Sequence, residues 1–119
     1  MRKFAIFAGL GGGFGGASFH GVFEYKDEAE AERDAYLKAE EEYQSYEGAH
    51  GIMSWEDCYE DALTSGWIDE SSTQNEIEDC VDNYYTEQIE GWISYYVREV
   101  CPETPECVSE GEVEDWFLV

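Results

Sequence analysis

The chain has 119 residues, enough for one domain with a single modest core. Its 43% apolar and 16% aromatic content excludes the apolar-poor composition of a disordered acidic tail. With 29 Asp and Glu against six Lys and Arg, the formal net charge of -23 opposes nucleic acid and anionic membrane and favours basic partners.

Residues 3 to 8, KFAIFA, form an aromatic and aliphatic run that ends at glycine, and residues 18 to 25, SFHGVFEY, alternate in the manner of a strand. The two are joined by a loop dense in glycine, so residues 1 to 25 are expected to form a β-hairpin. Within that loop Gly11, Gly13 and Gly16 match the spacing G-x-G-x-x-G. A dinucleotide site needs the last glycine to open a helix, and a second βαβ unit must supply an acidic residue. Here a strand pattern follows Gly16. A phosphate-cradling P-loop fails as well, because Ala17 and Ser18 stand where Lys is required. The loop reads as a permissive turn that presents Phe14 as an aromatic anchor.

From residue 27 to 47 the period becomes helical, with Ala29, Ala35, Tyr36, Ala39, Tyr43 and Tyr46 on one stripe and Glu47-Gly48 as the stop. A second helix is expected over 54 to 65, with Ser54 and Asp57 forming a capping box. Its buried side would comprise Trp55, Cys58, Tyr59, Ala62 and Leu63, and Gly66 would end it. The third and longest helix is expected over 72 to 100, interrupted at Gly91 and stopped by Pro102. Residues 101 to 119 read as an acidic tail whose apolar end, Trp116 to Val119, docks on the core or the hairpin edge. The fold expected is therefore a single α+β domain, an N-terminal glycine-loop hairpin packed by about three helices.

No catalytic constellation emerges. His20 and His50 lack a Ser, Cys or second His at motif spacing. An EF-hand register from Asp69 would use Ser71, Thr73 and Asn75, but it has Gln74 for the required Gly and Cys80 for the required Glu. Cys101 and Cys107 are too isolated from His for zinc. Carboxylate pairs are so numerous that proximity selects none for acid-base work. The expectation is no enzyme, no cofactor and no metal. Cys58, Cys80, Cys101 and Cys107 contain no CxxC pair, and reduced thiols are expected. The N-terminal apolar run of about seven residues is at the bottom of the secretory range. No run nears the roughly 18 residues of a membrane span, so a soluble intracellular protein is expected.

The acidic surface is the remaining candidate for function. Residues 27 to 47 would span about 31 Å as a helix and carry Asp27, Glu28, Glu30, Glu32, Asp34, Glu40, Glu41, Glu42 and Glu47. That is about one carboxylate per 3.5 Å, near the spacing of charges along one DNA strand, before Arg33 and Lys38 are subtracted. Such a face suits the basic groove of a nucleic-acid-binding protein. The partner-binding residues expected are Phe14, Asp27, Glu28, Glu30, Asp34, Glu40, Glu41 and Glu42, with Tyr85 and Tyr95 as aromatic anchors. The alternative is a general protein-interaction or structural role in which acidity serves only solubility.

The pattern FAGLGGGFGGASFHGVFEY followed by an acidic helix ending EEYQSYEGAHGI resembles small acidic proteins of tailed bacteriophages, over residues 4 to 52. The resemblance implies a phage accessory protein acting in the host bacterial cytoplasm, where cysteines stay reduced. It further implies inhibition or redirection of a host nucleic-acid-binding protein or defence system. It brings no functional residues across.

Overall fold

The computed structural model describes residues 1 to 11 and 15 to 118; Phe14, expected as the loop anchor, lies outside the described residues. The chain forms strands β1 (Arg2–Leu10) and β2 (Ser18–Tyr25), helices α1 (Glu28–Ser45), α2 (Trp55–Thr64) and α3 (Gln74–Trp92), strand β3 (Ile93–Val100) and the short helix α4 (Glu110–Val113). A 3-10 turn, Glu114–Trp116, follows. This is an α+β fold with an antiparallel sheet in the order β2-β1-β3. Among the described residues no helix is long and apolar enough to cross a membrane.

Two compact units divide the chain: Met1–Glu42 with Ile93–Val119, and Tyr43–Trp92. In the first unit β1 is the central strand, and its residues from Phe4 to Leu10 are all buried. That explains why KFAIFA shows no alternation. One side of the strand, Phe4 and Ile6, packs with Tyr25, Ala31, Ala35 and Val97, while the other, Ala5 and Phe7, packs with Val22, Val100, Val108, Val113, Trp116 and Phe117. Both faces of the sheet are thus covered, by α1 and by the C-terminal segment, and a strand covered on both faces reads as a continuous apolar run. The small side chains Ala31, Ala35 and Ala39 form the buried line of α1 at four-residue spacing. The expected stripe was slightly misaligned, since Ala29 is exposed and Tyr46 is half out in solvent.

The last eight residues of the expected third helix are a strand. Ile93–Val100 pairs antiparallel with β1 from Lys3↔Val100 to Leu10↔Ile93, and α3 enters β3 with no intervening loop. ISYYVREV is rich in β-branched and aromatic residues that fit both periods at once. The free side of β1 decides between them, because its backbone donors and acceptors must be satisfied once the strand is buried. Phe7 stacks on Tyr96 across that pairing with ring centroids 4.4 Å apart. At the far end Arg2 forks onto the Glu99 carboxylate, Nε to Oε2 at 2.8 Å and Nη2 to Oε1 at 2.6 Å. Of the apolar end, expected on the core or the hairpin edge, Trp116 and Phe117 pack on the core, and the backbone runs beside β3 and not beside the hairpin. Phe117 bridges Val100, and Leu118 N–H donates to the Glu99 carbonyl at 2.9 Å.

In the second unit α2 and α3 enclose Cys58, Ala62, Ile68 and Val81. The capping box at Ser54 forms as expected: Ser54 Oγ accepts from Asp57 N–H and Asp57 Oδ2 accepts from Ser54 N–H. Leu63, expected inside, is exposed. Thr73 caps α3 by accepting from Glu76 N–H at 3.2 Å, which starts the helix two residues later than position 72. Four tyrosine and tryptophan side chains tie the unit together. Tyr43 Oη donates to the Met53 carbonyl at 2.6 Å, Tyr84 Oη to Asp61 Oδ2 at 2.5 Å, Trp55 Nε1 to Asp82 at 2.8 Å, and Tyr85 Oη to Glu47.

Two glycines make opposite predictions. A Cβ at Gly9 would lie 2.7 Å from the Gly16 carbonyl oxygen, a backbone atom that cannot rotate away, whereas at Gly91 it would meet nothing within 4 Å. Gly91 is therefore not a point of close approach. Gly9→Ala should destabilise by about 1–3 kcal/mol, and Gly91→Ala should stabilise by up to about 1 kcal/mol through helix propensity. Thermal unfolding of the two variants checks this; equal effects would refute the close approach at Gly9.

Candidate functional site

The charge is segregated between the two units. Residues 43 to 92 contain thirteen of the 29 carboxylates and none of the six Lys and Arg. α3 places Ile77, Cys80, Val81, Tyr84, Tyr85, Gln88 and Ile89 on its inner side and leaves Glu76, Asp79, Asp82, Glu87 and Glu90 exposed. At 1.5 Å per residue that outer line runs about 21 Å. α2 adds the exposed Glu56, Asp57 and Glu60. No cation of the unit itself offsets this field.

Part of the acid content is internal. Asp61 and Glu47 accept phenol hydrogens from Tyr84 and Tyr85, and Asp69 accepts from Ser71 N–H at 2.8 Å and Ser71 Oγ at 2.6 Å. Those two serine bonds hold the Asp69 carboxyl below its usual range. Asp69, the first residue of the rejected EF-hand register, thus makes a turn before α3. Among the described residues no group of three or more His, Cys, Asp or Glu is placed to hold a metal ion.

The residues expected on α1 serve several purposes. Glu28, Glu30 and Glu41 are exposed, while Glu40 and Glu42 are half-buried. Asp27 caps the helix, its Oδ1 accepting from Glu30 N–H at 2.9 Å. Asp34 accepts the Tyr25 phenol hydrogen and pairs with Lys38 at 3.3 Å, so it anchors α1 to β2. Arg33 and Leu37 share the outer side, with Leu37 44% exposed. The face is mixed and not a carboxylate stripe. Tyr85 is half-buried, edge-on to Tyr43 and bonded to Glu47, while Tyr95 is exposed and edge-on to Tyr36 at 5.5 Å. The signal missed in sequence was the absence of Lys and Arg from 43 to 92, legible there but without meaning until those residues proved to be one unit.

The two histidines belong to different units. His20 is the extra residue of a bulge in β2, between Gly21, paired with Ile6, and Phe19, paired with Phe7. Its Nε2 lies 3.0 Å from the Ala8 carbonyl, an acceptor, so Nε2 carries the hydrogen. His50 sits at φ 55 in the loop after α1. All four cysteines are free thiols.

Burial and carboxylate neighbours shape the titration. Burial, with Cys58 and Glu47 nearby, pushes the Tyr43 phenol up to about 12, and the bond to Asp61 pushes Tyr84 up to about 12. Burial, then the bonds to Asp34 and Glu47, raises Tyr25 and Tyr85. Burial first, then Asp57 and Asp61, pushes the Cys58 thiol up to about 11. A phenol raised in the folded state contributes stability that is whole below its unfolded value near 10 and is lost as pH climbs through the folded value. The fold should therefore lose stability between pH 10 and about 12, measured by denaturant melts across that range. At neutral pH a thiol reagent should label exposed Cys107 promptly and Cys58 only on unfolding; equal rates would show that Cys58 is not held inside. No protein-family model, curated protein or solved structure matches this chain.

Proposed function

We propose that the protein is an acidic binding protein that occupies the nucleic-acid groove of a basic partner, as a phage accessory protein acting on a host nucleic-acid-binding or defence protein. The single observation that carries this reading is the α2–α3 unit, with thirteen carboxylates and no Lys or Arg. A low-dielectric body bearing one sign of charge focuses its field outward and draws a cationic groove to it. The partner's cations need no base sequence to read. The field belongs mainly to α2 and α3, with Glu28, Glu30 and Glu41 of α1 as a second group. The sequence offers no catalytic spacing that would favour an enzyme instead.

A second reading is an aromatic-anchored protein contact, favoured by Trp67, which is 59% exposed at the end of α2. Salt separates the two, because an exposed charge contact weakens with screening and an aromatic one does not.

The test captures partners from bacterial lysate at low and moderate salt and then asks whether duplex DNA displaces them. The combined substitution Asp79→Asn, Glu87→Gln and Glu90→Gln removes three exposed charges from α3. It should weaken capture about tenfold or more, equivalent to about 1.4 kcal/mol, with the melting temperature held or raised by relief of repulsion. Capture that survives salt, DNA and the substitutions would overturn the mimicry reading; loss on Trp67→Ala alone would establish the aromatic one.

A further inference from the structure

The order β2-β1-β3 leaves β2 at an edge of the sheet. The other edge is partly occupied, since Cys101 N–H donates to the Trp116 carbonyl and Leu118 N–H to the Glu99 carbonyl beside β3. Edge strands are normally blunted by Pro, by Lys or by being very short. β2 is eight residues, SFHGVFEY, with neither Pro nor Lys, and its bulge lies toward the start, leaving Gly21 to Tyr25 in regular pairing with Arg2 to Ile6.

Two grooves flank this edge. One, of about 530 Å³, is lined by the consecutive residues His20, Gly21, Val22, Phe23 and Glu24, with Glu106 from the C-terminal segment. Consecutive strand residues face opposite ways, so a groove touching all five runs along the strand's edge. The other, of about 410 Å³, lies between β2 and α1 and shares Phe23, with Tyr25, Glu30 and Leu37 among its walls. Phe23 is 42% exposed. Val22 faces the side of the sheet covered by the C-terminal segment, and Phe23 and Tyr25 the side covered by α1.

We propose that the outer edge of β2 takes an extended basic peptide by strand addition, an inference that rests on the reading of the protein as a binder of basic partners. Main-chain hydrogen bonds to β2 would supply register-independent affinity, and the flanking grooves would supply specificity. Side chains of the added strand alternate between the grooves. Lys or Arg at one set of positions meets Glu24 and Glu106, and apolar residues at the intervening set meet Phe23 and Leu37. The partner segment is therefore recognised by a basic–apolar alternation. A second copy of this chain is the wrong occupant, because it would bring its own Glu24, Glu106 and net charge of -23 to the same edge.

The probe is a capped octapeptide of alternating Lys and Val. Its controls are a block peptide with the same composition and the alternating peptide N-methylated at every second residue. The alternating peptide should bind at least tenfold more tightly than either control, and should protect β2 amides from hydrogen exchange. Phe23→Lys with Glu24→Lys should abolish that preference while leaving capture through α2 and α3 intact. Equal binding of all three peptides would overturn strand addition while leaving the acidic-binder reading standing. Intact peptide preference with no salt-sensitive capture would retain the edge and refute mimicry. Self-association removed by the same two substitutions would make a second copy the occupant and overturn the proposal.

Discussion

The structure depends on the burial of β1. A strand paired on both sides and covered on both faces has no backbone group that water can reach, so each must find a partner in the chain. That requirement recruits β2 on one side and β3 on the other, and the two apolar faces call for α1 and the C-terminal segment. Phe4 and Ile6 against Ala31 and Ala35, and Ala5 and Phe7 against Val113 and Phe117, are the same strand satisfying two layers. The conversion of residues 93 to 100 from a helical pattern to a strand is one consequence of this demand.

Charge is the opposing influence. The cations are all in the first unit, where Arg2 and Lys38 hold Glu99 and Asp34 and Lys3 reaches the Thr104 carbonyl at 2.9 Å. The second unit has no such help and places acids beside neutral hydrogen donors instead, Tyr84 on Asp61, Tyr85 on Glu47 and Trp55 on Asp82. This connects aromatic content to acidity. A phenol or indole that fills the core with its ring can satisfy a carboxylate with its polar end at no cost in positive charge. Tyr85, which sequence reasoning reserves for a partner, is spent in this way.

The same division bears on the proposed function. Carboxylates that hold the fold, such as Asp27, Asp34 and Asp57, cannot be reversed without disturbing it, whereas Asp79, Glu87 and Glu90 look only to solvent. Substitutions that separate recognition from folding therefore belong on α3. On the proposed reading, the open edge of β2 would add a direction and a register for an incoming chain.

Much was legible in the residues themselves. The glycine-joined hairpin, the Ser54 capping box and the stop at Gly66 rest on local backbone chemistry that acts within a few residues, and each appears in the fold. The period of residues 93 to 100, the inward line of α1 and the internal use of Asp34 and Tyr85 were not legible, because they turn on neighbours far away in sequence. Net charge, the run from 43 to 92 without Lys or Arg and the absence of catalytic spacing belong to the sequence alone. Which carboxylates face water, which strand is left at an edge and which grooves flank it belong to tertiary structure, since local sequence sets periodicity while burial and pairing decide which side of each element is spent.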